Sequence, residues 1–376
     1  MSERGLARAA SAYGLEVGAP GIKSIGPITF GPEGILFIAD NASATIFAVA
    51  LDDDETPTEA RPIDVDQLDT RLAAYLGCAR EEVSVRDMAV HPSAQSVYLA
   101  VRRGSGDAAL PALIRIGQNG ALAEAPLARV PFAQTPIDDA PAVDDPRQEV
   151  RVVPIDGLEG ELIEPRPGFR LRIARESLRT ATVTDLAYVD GTLLVAGACN
   201  EEFSSALRRI PFPFSGETRT NTIEIYHVSH GKYETASPIR AFVPFGGNTS
   251  ILASYTCTPI VQLSLSDLAS GAVLKGRTVA ELGAGNTPID MISYTSAGEE
   301  YLLVSNARHP LMKIPCKDID GQAGLTAPRE PVGLPRETLS HQGVGLLANR
   351  NGSEVLMLQQ DGDHNLHLRS YSSATL

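Results

Sequence analysis

The stretch Ile28-Thr-Phe-Gly-Pro-Glu-Gly-Ile-Leu-Phe-Ile-Ala-Asp40, followed by Asn41, decides the fold. A short apolar strand enters a Gly-Pro-Glu-Gly turn and leaves it as five consecutive apolar residues. A run that short, closed by turn residues at both ends, reads as a strand buried on both faces rather than a helix. After the Asp-Asn loop a third strand follows, Thr45-Ile-Phe-Ala-Val49.

The same phrase of strand, tight turn, strand, polar loop and strand returns five more times. Its second strands are Val97-Tyr-Leu-Ala-Val101, Leu193-Leu-Val-Ala196, Ser250-Ile-Leu-Ala253, Tyr301-Leu-Leu-Val304 and Val355-Leu-Met-Leu358. The copies begin roughly every 50 to 60 residues, with one gap near 95. A small sheet with two apolar faces cannot stand alone in water, so such copies stack radially and bury each other's faces. The expectation is an all-β chain, a single β-propeller domain over residues 1–376, with six blades and seven as the alternative.

The linkers supply loop insertions and one short surface helix. Leu68, Leu72, Tyr75 and Leu76 recur at helical spacing, while the acidic, Pro-containing segment from Asp52 to Asp66 reads as a mobile surface loop. The long gap holds an acidic, Pro-rich loop, Thr135 to Pro146, and two strands, Glu149–Val153 and Phe169–Ile173. Those strands are expected either to complete outer positions of a blade or to form a degenerate seventh one. Ring closure is assigned to Tyr13–Val17, set beside the strands that end near Tyr371.

The chain has no Trp and 5% aromatics, so Leu, Val, Ile and Ala must build the core. Its formal charge of −14, spread along the sequence, opposes a phosphate backbone or an anionic membrane. A cation, a small molecule or a protein partner fits that surface better; nucleic acid and membrane do not. The four cysteines, Cys78, Cys199, Cys257 and Cys316, have no zinc-type spacing and read as free thiols. Cys199 and Cys257 occupy comparable loops of neighbouring copies, where they either approach each other or stand as two separate thiols. No run of 18 apolar residues occurs, and no apolar segment follows the N-terminal arginines. As given the chain reads as cytoplasmic, with a removed secretion leader as the alternative.

Three copies place an aspartate at the same register where the first strand begins: Asp87, Asp185 and Asp290. Pseudosymmetry points all three towards the axis. Converging carboxylates repel unless they share a proton, pair with cations or bind a metal, and an all-oxygen set suits Ca²⁺ or another divalent cation. The plainer reading is that each caps backbone N–H groups near its turn. The loops on the same face carry Glu201, His309 and, close by, His341, candidates for proton transfer beside such an ion. Asp361-Gly-Asp363 looks like a calcium-loop fragment without the downstream glutamate, and Asn351-Gly-Ser353 reads as a hairpin turn.

The repeat, and the Ile28–Asp40 phrase above all, resembles the blade of NHL-type and gluconolactonase/strictosidine-synthase-like six-bladed propellers. The resemblance covers about half of the chain. It implies a range of roles: calcium-dependent lactonases and esterases, lyase-like condensing enzymes, and pure binding modules. The group's calcium site implies Glu, Asn and Asp ligands from separate blades; here Asp87, Asp185 and Asp290 offer the charge, with Asn200 and Asn306 as neutral ligands. The leading expectation is therefore a metal-assisted hydrolase of small molecules, lactonase- or esterase-like, sited at the channel mouth. The alternative is a non-catalytic propeller that binds a ligand or a protein partner.

Overall fold

The computed structural model describes residues 10–53, 55, 61–155, 160–257, 259–270, 273–327 and 332–376. Six β-meanders account for most of the chain, and every strand of the repeated phrase falls inside one of them. Sheet 1 comprises Ile28–Phe30, Ile35–Asp40 and Thr45–Ala50, extended by Val130–Pro136 and Glu16–Gly18. Sheet 2 comprises Val83–Val90, Val97–Arg103, Leu110–Ile116 and Leu122–Glu124. Sheet 3 runs Asp185–Val189, Thr192–Ala198, Ser205–Pro211, Arg219–His227 and Lys232–Glu234, with Leu274–Lys275 parallel to its fourth strand.

Sheet 4 is Ala241–Phe245, Ser250–Ser254, Pro259–Ser264, Arg277–Glu281 and Val332–Gly333. Sheet 5 is Pro288–Ser296, Glu299–Asn306, Met312–Pro315 and Glu337–Thr338, and sheet 6 is Val344–Arg350, Glu354–Gln360 and Leu366–Ser372.

The unbroken apolar runs follow from how the sheets pack. In the second strand of sheet 1, Ile35, Phe37 and Ala39 join a cluster with Leu186, Leu193 and Val195 of sheet 3. The intervening Leu36 and Ile38 join a cluster with Tyr98 and Leu113 of sheet 2. Side chains alternate across a strand, so a sheet covered on both faces needs apolar residues at every position. The other junctions repeat the pattern, with one apolar cluster each between sheets 3 and 4, 4 and 5, 5 and 6, and 6 and 2. The first strands pack in the same succession, sheets 2, 1, 3, 4, 5 and 6, with that of sheet 6 against that of sheet 2.

That succession is not the order of the chain. After sheet 1 the backbone crosses to the edge of sheet 6, where Val65 bridges Leu368 through a pair of backbone hydrogen bonds of 2.9 and 3.0 Å. Helix α1, Leu68–Leu76, follows, its Leu68 and Leu72 wholly buried between sheets 6 and 2. The chain then forms sheet 2 and returns through Val130–Pro136, which pairs with Thr45–Ala50 as a fourth strand of sheet 1.

Two sequence expectations are corrected here. Residues Glu16–Gly18 do not lie beside the Tyr371 strand; they pair with Val130–Pro136. The edge of sheet 6 is covered instead from inside the segment read as a mobile loop, where Ile63 and Val65 are buried because apolar side chains there complete the cluster around α1. Asp53 of that segment is buried too, accepting two hydrogen bonds of 2.9 Å from Arg115 and one of 2.9 Å from Tyr98. These bonds outweigh the effect of burial, which pushes the carboxyl up, and hold it at about 2. Residues 54 and 56–60 of the segment lie outside the described residues.

The two strands of the long gap take neither expected place. With Glu161–Arg166 they form a separate three-stranded sheet, Gln148–Val153, Phe169–Ser177 and Glu161–Arg166, around Val152, Leu171 and Ile173. This cap sheet rests on the face where the first strands begin. Val152 N–H donates to Thr287 Oγ1 at 2.8 Å, just before the first strand of sheet 5, and Glu149 pairs with Arg240, just before that of sheet 4. Arg147 reaches the Glu201 carbonyl of sheet 3 at 2.7 Å, and Arg179 the Asn41 carbonyl of sheet 1 at 2.9 Å.

Candidate functional site

The three aspartates share one geometry. Asp87 Oδ1 accepts the N–H of Met88 at 2.8 Å and Oδ2 that of Ile28, in sheet 1, at 2.7 Å. Asp185 accepts Leu186 N–H and Phe242 N–H of sheet 4, both at 2.7 Å. Asp290 accepts Met291 N–H and Leu347 N–H of sheet 6, again at 2.7 Å each. Every carboxylate thus ties the residue that follows it in its own inner strand to the neighbouring sheet. The ties fall on alternate junctions, 2 to 1, 3 to 4 and 5 to 6, which gives the ring of first strands an approximate threefold pattern. At the third junction Ser305 reinforces the tie by donating to the Gly345 carbonyl at 2.5 Å.

The carboxyls sit among the first strands in the middle of the molecule, and their acidities reflect it. Burial, and then the charge of Asp290, push Asp87 up to about 8. Burial, then the charges of Asp290 and Asp87, raise Asp185 well above the usual carboxylate range, and burial raises Asp290 to about 6. The three feel one another, yet among the described residues their oxygens do not form a group within 4.8 Å of one another. One ion bound directly to all three would need them to move inwards; oxygen ligands bind Ca²⁺ at about 2.3–2.6 Å.

The neutral ligands expected beside them have other engagements. Asn306 donates to the carbonyls of Val304 and Pro310 and accepts from Asn286. Asn200 is exposed, and its backbone N–H binds the Asp139 carbonyl.

The proton-transfer candidates are set among different neighbours. Glu201 is an exposed loop residue whose carbonyl receives Arg147. His309 lies against Gly283, at the junction of sheets 4 and 5, where a Cβ would come within 2.8 Å of its Nε2. His341 packs edge-on against Tyr371 of sheet 6, with ring centroids 4.6 Å apart, and burial lowers its pKa. Asp361 folds into its own turn, accepting Asp363 N–H and Asn365 N–H, and takes a further bond from His367 at 2.9 Å. All four cysteines are free thiols.

Three groups escaped the sequence reading. One is the place of the two long-gap strands, which with Glu161–Arg166 form the cap sheet over the mouth. Another is Arg208, whose side chain is fully buried and binds Asp139, the Thr182 carbonyl and the Ala198 carbonyl at 2.7, 3.0 and 2.7 Å. The last is His227 with His230 and Cys257; its sequence signal was the His-x-x-His spacing of the first two.

No family model and no curated protein sequence matches the chain. Among solved structures it is similar to β-propellers. The β-propeller domain of Cps50 (Swd1) from Myceliophteria thermophila is 11% identical, with a TM-score of 0.40 over 93% of this chain and 83% of that one. Virginiamycin B lyase from Staphylococcus aureus is 11% identical, with a TM-score of 0.37 over 95% and 98%. The PQQ-bound aldose sugar dehydrogenase from Streptomyces coelicolor is 10% identical, with a TM-score of 0.32 over 94% and 97%. No helix among the described residues is long and apolar enough to cross a membrane.

Proposed function

We propose that the chain is a six-bladed propeller, closed where Val65 completes the edge of sheet 6, and that it works as a binding scaffold whose capped face meets a protein partner. The observation that carries this reading is the use made of the three carboxylates. Both oxygens of each already accept backbone N–H groups, Oδ1 from the next residue of its own strand and Oδ2 from across a sheet junction, which makes them parts of the frame. The cap sheet lies over the face on which they stand. Val150 and Leu162 are exposed on opposite faces of the cap sheet, Ile155 is exposed just beyond it, and Phe203 and Ile289 are exposed in the segments beside it; exposed apolar groups gathered in one region suit an interaction surface.

The test is a comparison of two double variants. Val150→Glu with Leu162→Glu is expected to abolish retention of a partner that the wild type holds in source lysate. A control pair away from that face, Val17→Glu with Val273→Glu, keeps it. Equal retention by all three proteins overturns the reading.

A second reading remains a proposal in its own right, because unbalanced negative charge at Asp87, Asp185 and Asp290 is what a divalent cation neutralises. In it these carboxylates with Asn200 and Asn306 would hold Ca²⁺, which would supply Lewis-acid chemistry towards the carbonyl of a lactone or ester, with Glu201, His309 or His341 as base. Its signature is a Ca²⁺-dependent rise in Tm that disappears in Asp185→Asn, together with turnover of lactones or aryl esters.

A further inference from the structure

The outer hairpin of sheet 3 and a loop of sheet 4 bring together a set of ligands of different chemistry from the channel. Strand Arg219–His227 ends at His227 and turns through Val228–His230, with Gly231 in the left-handed region at φ 62°. It returns as Lys232–Glu234, paired so that Ile225 faces Glu234. This places the Glu234 carboxylate beneath both imidazoles. Its Oε2 lies 2.7 Å from His227 Nδ1 and its Oε1 2.6 Å from His230 Nδ1. The two rings sit 4.1 Å apart, centroid to centroid.

A carboxylate accepts only, so each ring presents N–H at Nδ1 to Glu234 and keeps its lone pair at Nε2. From sheet 4, Cys257 approaches on the loop after Ser250–Ser254, in a left-handed conformation at φ 66°. The ligand atoms of His227, His230 and Cys257 lie within 4.8 Å of one another. Glu281, at the end of the fourth strand of sheet 4, is fully buried, with Oε2 3.9 Å from His227 Nε2.

We propose that His227, His230 and Cys257 form a zinc site that clamps sheet 3 to sheet 4, with Glu281 or a water as the fourth ligand. Two imidazoles and a thiolate are the donor set for Zn²⁺ and do not suit Ca²⁺ or Mg²⁺. At bonding distances of about 2.0–2.3 Å, tetrahedral ligands stand about 3.3–3.6 Å apart, so small side-chain movements close the site. Glu234 supplies the carboxylate that typically holds the far nitrogen of zinc-binding histidines, fixing tautomer and ring direction. His227 and Glu281 are buried while His230 is half exposed, which gives the ion an entry on the solvent side.

The experiment is a Co²⁺ titration of chelator-treated full-length protein, followed by absorption, with Zn²⁺ added afterwards. Expected are one tightly bound Co²⁺ per chain, tetrahedral d–d bands, a thiolate-to-cobalt charge-transfer band, and loss of all three when Zn²⁺ displaces it. Cys257→Ser removes the charge-transfer band, whereas Cys78→Ser leaves it. Glu234→Gln, a positioning variant, weakens Co²⁺ binding by about 10- to 100-fold with the same spectrum. The proposal is overturned by wild-type protein that shows no charge-transfer band, or by a band that persists in Cys257→Ser. A Cys257→Ser protein that fails to melt cooperatively is replaced by His230→Ala, at the exposed ligand, which is expected to lose Co²⁺ binding with its Tm in chelator unchanged.

Discussion

Replacing Asp290 by asparagine separates the two opposing contributions of a channel carboxylate. The amide keeps one acceptor for the N–H groups of Leu347 and Met291 and turns an NH₂ towards the other. One buried hydrogen bond is lost at every pH, at a cost of about 1–3 kcal/mol. Against this, the variant no longer has to hold a charge away from water. A carboxyl raised to about 6 in the folded chain binds more protons than its unfolded counterpart between those two pKa values. Its contribution to stability is therefore fully present below the unfolded value and is lost as pH rises through 6. The loss amounts to about 1 kcal/mol at pH 4.5 and about 3 kcal/mol at pH 8. Asp290 also raises Asp87 and Asp185, so neutralising it relieves them in the same direction.

Asp290→Asn should consequently be less stable than wild type at pH 4.5 and as stable or more so at pH 8. Urea unfolding followed by circular dichroism, with the m-value checked for constancy, measures the difference. A variant destabilised by the same amount at both pH values refutes the reasoning, because the carboxylate would then be ionised throughout and act through its hydrogen bonds alone.

Arg208→Met leaves Asp139 and two buried carbonyls without their cation, and should cost about 3–5 kcal/mol in urea unfolding. Val65→Pro removes the N–H that binds Leu368 and opens the edge of sheet 6. A loss of about 3 kcal/mol is expected, with faster amide exchange at Leu368 than at Leu356 in the same sheet. Asp53→Ala leaves Arg115 without its bidentate partner and should cost about 3 kcal/mol at pH 7. The difference from wild type narrows as pH falls below the ordinary carboxylate value of 3.8 towards 2, where Asp53 itself becomes protonated.

The six meanders were legible because each second strand holds an unbroken apolar run, as a sheet buried on both faces requires, and because turns such as Asn351-Gly352 mark the hairpins. Helix α1 was legible from Leu68, Leu72 and Leu76. The aspartate register was visible as well, and so was the capping of backbone N–H groups as one of two readings, but the partner strands were not. Besides the N–H of the next residue, Asp87, Asp185 and Asp290 each accept one from a strand 59, 57 and 57 residues away. The order of the sheets was hidden because Val130–Pro136 looks like any linker strand until it is seen returning to Thr45–Ala50. Ile63 and Val65 were obscured by the acidic residues around them, although two buried apolar residues suffice to cover an edge. The cap strands were found and their place was not, since polar anchors such as Glu149 and Arg147 find partners only in the folded ring. Cys257 lies 27 residues beyond His230, outside any local metal motif, and the site forms only where sheets 3 and 4 stand side by side.

The role of the channel is best settled by crystals grown with MnCl₂ and measured at the manganese edge. The expected map has no anomalous peak between Asp87, Asp185 and Asp290, with each carboxylate still bonded to the N–H groups of Ile28, Phe242 and Leu347. A peak at bonding distance from these carboxylates contradicts the scaffold reading and gives the channel back to a metal-assisted enzyme.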